Sequence, residues 1–222
     1  MTTNNKKGKL IVFEGIDHSF KQTNSDSLTV ILSEMNKPTI KLEFPYYEKG
    51  IGKEIYRILH KESKDELYKL PELFHKEQIE FIPLILEYLN QGINVIIDRF
   101  FLSNLAYNDD YTLSKVDEFD ELCIDYLIYM DMDPDIIKDK LKERASKNNE
   151  TVDNIESDIS RLKKARRNYL YYLAIDDNLF NKTIIVKTFN DDGTLRTEKE
   201  LENNMMSIAK LITGRDDDVD IF

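Results

Sequence analysis

The chain of 222 residues sets 31 Lys and Arg against 42 Asp and Glu, a formal net charge of −11, with 41% hydrophobic and 33% charged residues. This composition excludes collagen-like and disordered chains, and the length fits one domain with a sizeable core. No uncharged apolar run approaches the ~20 residues of a membrane-spanning helix, and the acidic balance argues against direct nonspecific contact with nucleic acid.

Met1 to Gly8 leads into an apolar run too short for a signal-peptide core, so a cytoplasmic or nuclear address is expected. Short β-branched or apolar runs then alternate with longer helical patterns. Strands are expected over 10–13, 39–42, 93–97, 126–130 and 183–186, and helices over 25–35, 52–60, 71–90 and 153–173. Such alternation predicts an α/β three-layer fold, a five-stranded parallel sheet covered by helices on both faces. In the fourth helix Ile155, Ile159, Leu162, Tyr169 and Leu173 share one face, which leaves Arg161, Lys163, Lys164, Arg166 and Arg167 mostly on a solvated one. Residues 145–153 lack apolar anchors and read as a mobile surface loop, resembling a lid. Residues 1–213 are taken as one domain and 214–222 as an acidic tail. Cys123, the single cysteine, precludes an internal disulfide and is expected to be buried near the fourth strand; His18, His60 and His75 show no zinc-ligand spacing.

The junction of the first strand and first helix is the most informative stretch: Phe13-Glu14-Gly15-Ile16-Asp17-His18-Ser19-Phe20-Lys21-Gln22-Thr23. It approaches the phosphate-binding pattern G-x-x-x-x-G-K-[ST], in which glycines let backbone N–H groups curl round phosphates, Lys reaches the outer phosphates and a hydroxyl ligates magnesium. Gly15 and Lys21 hold their places. Phe20 replaces the second glycine, so the backbone is expected to miss the required conformation and the ring to take phosphate space, while Gln22 replaces the hydroxyl residue and Thr23 falls one residue late. Read alone, Lys21 fits equally an exposed lysine at a helix start.

From Lys9 to Tyr107 the chain resembles the thymidylate kinase family. The family's loop E-G-x-D-x-x-G-K-[ST]-T is matched by Glu14, Gly15, Asp17, Lys21 and Thr23. Phe44-Pro45 with Ile51-Gly52 resembles its F-P-x-R…I-G segment, and Leu73-Phe74 with Glu80 its L-F-x-x-x-R-x-E helix. The unbroken stretch Gly92 to Tyr107 is similar to its strand, D-R-[YH] motif and S-x-x-A-Y continuation. The resemblance implies catalytic roles for Lys21, Asp98 and Arg99: Lys21 on donor phosphates, Asp98 organising magnesium, Arg99 on the acceptor phosphate. It implies nucleotide contacts from Gly15, Asp17, Thr23, Phe74, Gln78, Ser103 and Tyr107, with Phe74 stacking on a pyrimidine. It also implies a homodimer.

Departures cluster at phosphate contacts. Tyr47 stands where F-P-x-R has arginine, Gln78 where the base-reading arginine follows Phe74, and the lid-like loop offers only Lys147 and Thr151. Phosphoryl transfer depends on positioning and charge, so the favoured expectation is a protein with a degenerate ATP site, catalytically impaired or inactive, serving a binding or scaffolding role without cofactor. The alternative is an active divergent dTMP kinase using ATP and magnesium, with Arg161, Arg166 or Arg167 reaching inward and Gln78 bonding a base edge. The tail, Asp216 to Phe222, resembles acidic, aromatic-ended tails that dock on protein partners, and equally fits a solvated terminus.

Overall fold

The computed structural model describes residues 7–60, 64–138, 142, 152–175 and 180–215. Residues 145–151 of the lid-like loop, with Lys147 and Thr151, and Asp216 to Phe222 of the tail lie outside them. All five expected strands form, each reaching one residue further at its C-terminal end: β1 (Leu10–Glu14), β2 (Thr39–Glu43), β3 (Asn94–Asp98), β4 (Tyr126–Asp131) and β5 (Thr183–Lys187). They pair in parallel in the order β2-β3-β1-β4-β5. The helices are α1 (Lys21–Glu34), α2 (Ile51–His60), α3 (Leu70–Asn90), α4 (Phe101–Tyr107), α5 (Val152–Ile175) and α6 (Glu198–Thr213).

β1 shows why the strands read as continuous apolar runs. Leu10 and Val12 pack on one face of the sheet with Ile85, Val95, Leu127 and Leu162, while Ile11 and Phe13 pack on the other with Leu28, Ile96, Ile128 and Met205. A strand buried on both faces has no polar side, so alternation vanishes. α3, α4 and α5 cover the first face, α1 and α6 the second.

Several features differ from expectation: α4 was not anticipated, and α1 begins at Lys21 rather than at residue 25. α6 was not anticipated, although Thr197 and Glu200 form a reciprocal capping box at its start and Leu201, Met205 and Ile208 recur on its buried face. Cys123 is exposed, not buried: Leu122 and Ile124 turn inward on either side, and Asn181 Nδ2 donates to its Sγ at 3.1 Å. The basic face of α5 is partly engaged, because Arg166 forms a fork on Asp131 at 2.8 and 3.0 Å and reaches Asp133 at 3.3 Å.

α2 and α3 meet at a point that admits no side chain. A Cβ on Gly52 would lie 1.8 Å from the Tyr46 carbonyl oxygen and 2.5 Å from Glu77 Oε1. That Oε1 accepts the Tyr46 N–H at 2.9 Å, whereas Oε2 is buried without a partner among the described residues. Burial pushes the Glu77 carboxyl up to about 7, against the pull of the Tyr46 N–H. The folded state therefore holds this proton more tightly than the unfolded chain, and the resulting stability is full below the ordinary value near 4.5 and lost as pH rises through 7. Between pH 5 and 8 the urea midpoint should fall more steeply for the wild type than for Glu77→Gln; parallel pH profiles would refute this.

Candidate functional site

The sheet order reverses direction beside β1, between it and β3, and open parallel sheets form their ligand crevice at the strand C-termini of such a point. Gly15 leaves β1 at φ +146°, where a Cβ would meet Met130 O at 2.5 Å and Ser19 Oγ at 2.8 Å, so only glycine fits. The loop then runs to α1 through Phe20, which adopts the left-handed region at φ 61°, ψ 20°. The expectation that phenylalanine would deny the loop its shape is thus corrected: Phe20 takes the conformation glycine favours, and its ring packs against both halves of the core. His18 and Arg99 also have positive φ, so three of the four described non-glycine residues in that region gather here. Each such residue costs ~1–3 kcal/mol and persists only where its surroundings over-determine it, which is common at functional sites.

A cavity of about 510 Å³ opens at the α1 N-terminus, lined by His18 to Thr23 with Glu43, Asp98 and Arg99. The first-turn N–H groups of α1 have no acceptor within the helix and favour an anion. Lys21 is buried rather than exposed: its Nζ donates to Ile16 O at 2.6 Å and Ser19 Oγ at 3.3 Å. Burial and then the Arg99 charge push its ammonium down to about 7, despite Asp98, Asp17 and Glu14 nearby. Gln22 and Thr23 form exposed wall. Asp98 is buried at the end of β3, where its Oδ2 accepts from Ser25 Oγ at 3.2 Å and lies 3.9 Å from Lys41 Nζ. Sequence reading missed both partners. Ser25 follows Lys21 by one helical turn and carried that signal, whereas Lys41 carried none, because only strand pairing brings β2 beside β3.

A second cavity, of about 290 Å³, lies between α3, α4 and α5 and gathers Asp17, Phe74, Gln78, Arg99, Ser103, Tyr107 and Arg161. Arg99 pairs with Asp17, and its other amino group donates to Gly15 O at 3.4 Å and Ser103 Oγ at 3.5 Å. Arg161 Nη2 is 3.5 Å from Asp17 Oδ2, with its guanidinium 5.5 Å above the Tyr107 ring. Of the three arginines considered on α5, Arg161 reaches Asp17 from an exposed position, Arg166 is committed to Asp131, and Arg167 is exposed. Burial raises the Asp17 carboxyl, but Arg99, Lys21 and Arg161 outweigh it and leave the group below its usual range. The Tyr107 hydroxyl accepts the Asp17 N–H at 2.9 Å and is pushed up to about 12 by burial, then by Asp17.

Behind this cavity Glu14 is fully buried. It accepts from the N–H groups of Phe100 (2.8 Å) and Ser103 (3.1 Å), Ser103 Oγ (2.6 Å) and Tyr169 OH (3.0 Å). Arg99 lines both cavities. Among the described residues no group of three or more His, Cys, Asp and Glu could hold a metal by itself. A magnesium ion carried on phosphates needs only one or two protein carboxylates, and Asp98 and Glu43 supply oxygen donors on the larger cavity's wall.

A family model described as thymidylate kinase matches residues 13–188. The chain is similar to thymidylate kinases of Plasmodium falciparum (39% identical over 108 residues, 49% of this chain and 51% of the relative) and Homo sapiens (35% over 102 residues, 46% and 48%). A third, from Arabidopsis thaliana, is 29% identical over 154 residues, 68% of this chain and 57% of the relative. The chain thus spans about half the length of the curated relatives it matches. The solved thymidylate kinase of Ehrlichia chaffeensis shares the fold, with a TM-score of 0.62 at 18% identity over 91% of this chain and 98% of that one.

Proposed function

The chain belongs to the thymidylate kinase family, and we propose on that footing that it phosphorylates a pyrimidine nucleoside monophosphate with ATP. The observation that carries this reading is the position of Arg99 on the wall of both cavities. One guanidinium then faces a donor phosphate in the larger cavity and an acceptor phosphate in the smaller. Lys21 and the N-terminal N–H groups of α1 hold the outer phosphates of ATP, and Arg99 with Arg161 holds the acceptor. Asp98 holds magnesium, which when bound neutralises charge on the donor phosphates. An acceptor phosphate oxygen attacks the γ-phosphorus as the bond to the β-phosphate bridging oxygen breaks, giving ADP and the nucleoside diphosphate. Phe74 stacks on the base, and Ser103 and Tyr107 line the sugar side.

A second reading, binding without transfer, rests on two observations: Lys21 Nζ is bonded to Ile16 O, and Gln22 occupies the hydroxyl position. Single-turnover transfer with excess protein, ATP-magnesium and dTMP separates the two. Product that disappears in a Lys21→Ala, Asp98→Asn double variant is expected. No product above that control, from a folded protein that dTMP stabilises against heat, would leave the binding role.

A further inference from the structure

The smaller cavity is walled by charged groups around Asp17 and by α3 together with the Phe44-Pro45 segment. Two carboxamides on this wall stand in contrasting states. Asn104 is locked: its Nδ2 donates to Pro71 O at 2.8 Å and its Oδ1 accepts from Asn108 Nδ2 at 2.7 Å. Gln78 is 3% exposed, and its Oε1 is buried without a hydrogen-bond partner among the described residues. It stands four residues after Phe74 on α3, so ring and amide share one helix face. A buried amide oxygen left unpaired is costly, and a cavity wall is where a ligand can supply the missing partner.

A carboxamide offers a donor and an acceptor side by side, and a half-turn about its last bond exchanges them. A 4-oxo pyrimidine presents a ring N–H donor beside an oxygen acceptor; a 4-amino pyrimidine presents a ring nitrogen acceptor beside an amino donor. Either edge pairs with two hydrogen bonds to a suitably turned amide. Asn104 is fixed in one orientation by its neighbours, whereas no described residue fixes Gln78. We propose that Gln78 reads the base edge of the acceptor nucleotide and, by turning its amide, admits 4-amino as well as 4-oxo pyrimidine monophosphates. The inference rests on the acceptor site proposed above and adds its substrate range.

The test is calorimetric binding of dTMP, dUMP and dCMP to the full chain, with initial rates measured in parallel. Wild type should bind dUMP and dCMP, which differ only at the read edge, within about tenfold of each other. Gln78→Arg offers donors only, so dCMP should weaken about 100-fold relative to dUMP. Gln78→Met keeps the length without polar atoms and should weaken both by similar factors. Wild-type binding of dTMP and dUMP with dCMP at least 100-fold weaker, or an unchanged ratio in Gln78→Arg, would overturn this inference and leave the acceptor site standing. Binding of none of the three by the folded protein would remove both.

Discussion

Arg99→Ala lowers single-turnover phosphoryl transfer by about 10³-fold, within the range seen when a cation facing a transferring phosphoryl group is removed. Burial, the largest single influence, opposes its charge, but Asp17, Tyr169, Tyr107 and Glu14 together outweigh it and keep the guanidinium firmly protonated. Its donors to Gly15 O and Ser103 Oγ fix the fork at the boundary between the cavities. Alanine meets the same left-handed conformation at φ 68° as any residue other than glycine, so the backbone cost is shared with wild type. Asp17 retains Arg161 as a partner, and the melting temperature should move by only a few degrees. Arg99→Lys keeps a charge without the planar fork and should recover a minor part of the rate. A transfer rate for Arg99→Ala within fivefold of wild type would remove Arg99 from the reaction.

The largest stability effect is expected at Glu14. Glu14→Ala strips four donors of a common acceptor inside the core, joining β1, α4 and α5, and should cost ~3–5 kcal/mol. The control is Glu14→Gln. Its oxygen can still accept the Phe100 and Ser103 N–H groups, and its amino group can donate to the Ser103 or Tyr169 hydroxyl, either of which can accept. That variant should lie within ~1.5 kcal/mol of wild type. Burial raises the Glu14 carboxyl against these hydrogen bonds, so its proton-linked stability is largest at low pH and is lost as pH rises through the folded value. The deficit of Glu14→Gln should accordingly shrink from pH 5 to pH 8. Urea denaturation at both pH values checks this, and equal stability of Glu14→Ala and wild type would refute the role.

The strands were legible because each is a short β-branched run bounded by turn residues, and Asp98-Arg99 because it ends one of them. The gathering of Asp17, Phe74, Gln78, Ser103 and Tyr107 on one cavity followed from their resemblance to family motifs, since they lie on three separate segments. Arg161 was only one of several basic residues on α5, because helical periodicity separates buried from exposed faces and does not say which neighbour an exposed face meets. Phe20 misled for a different reason: propensity counts the cost of a left-handed phenylalanine but not the packing of its ring against both halves of the core. The Thr197-Glu200 pair was a readable helix start that went unread.

The buried ammonium of Lys21, drawn down to about 7, gives the empty loop a proton vacancy in mildly alkaline solution. A polyphosphate entering beside it favours the charged form, so loading the site takes up a proton from water. If the donor phosphates seat there as proposed, the loop takes up anion and proton together. On that reading its grip on the anion should weaken as pH climbs from 7 towards the ordinary lysine value, an interval in which the phosphates themselves gain charge rather than lose it.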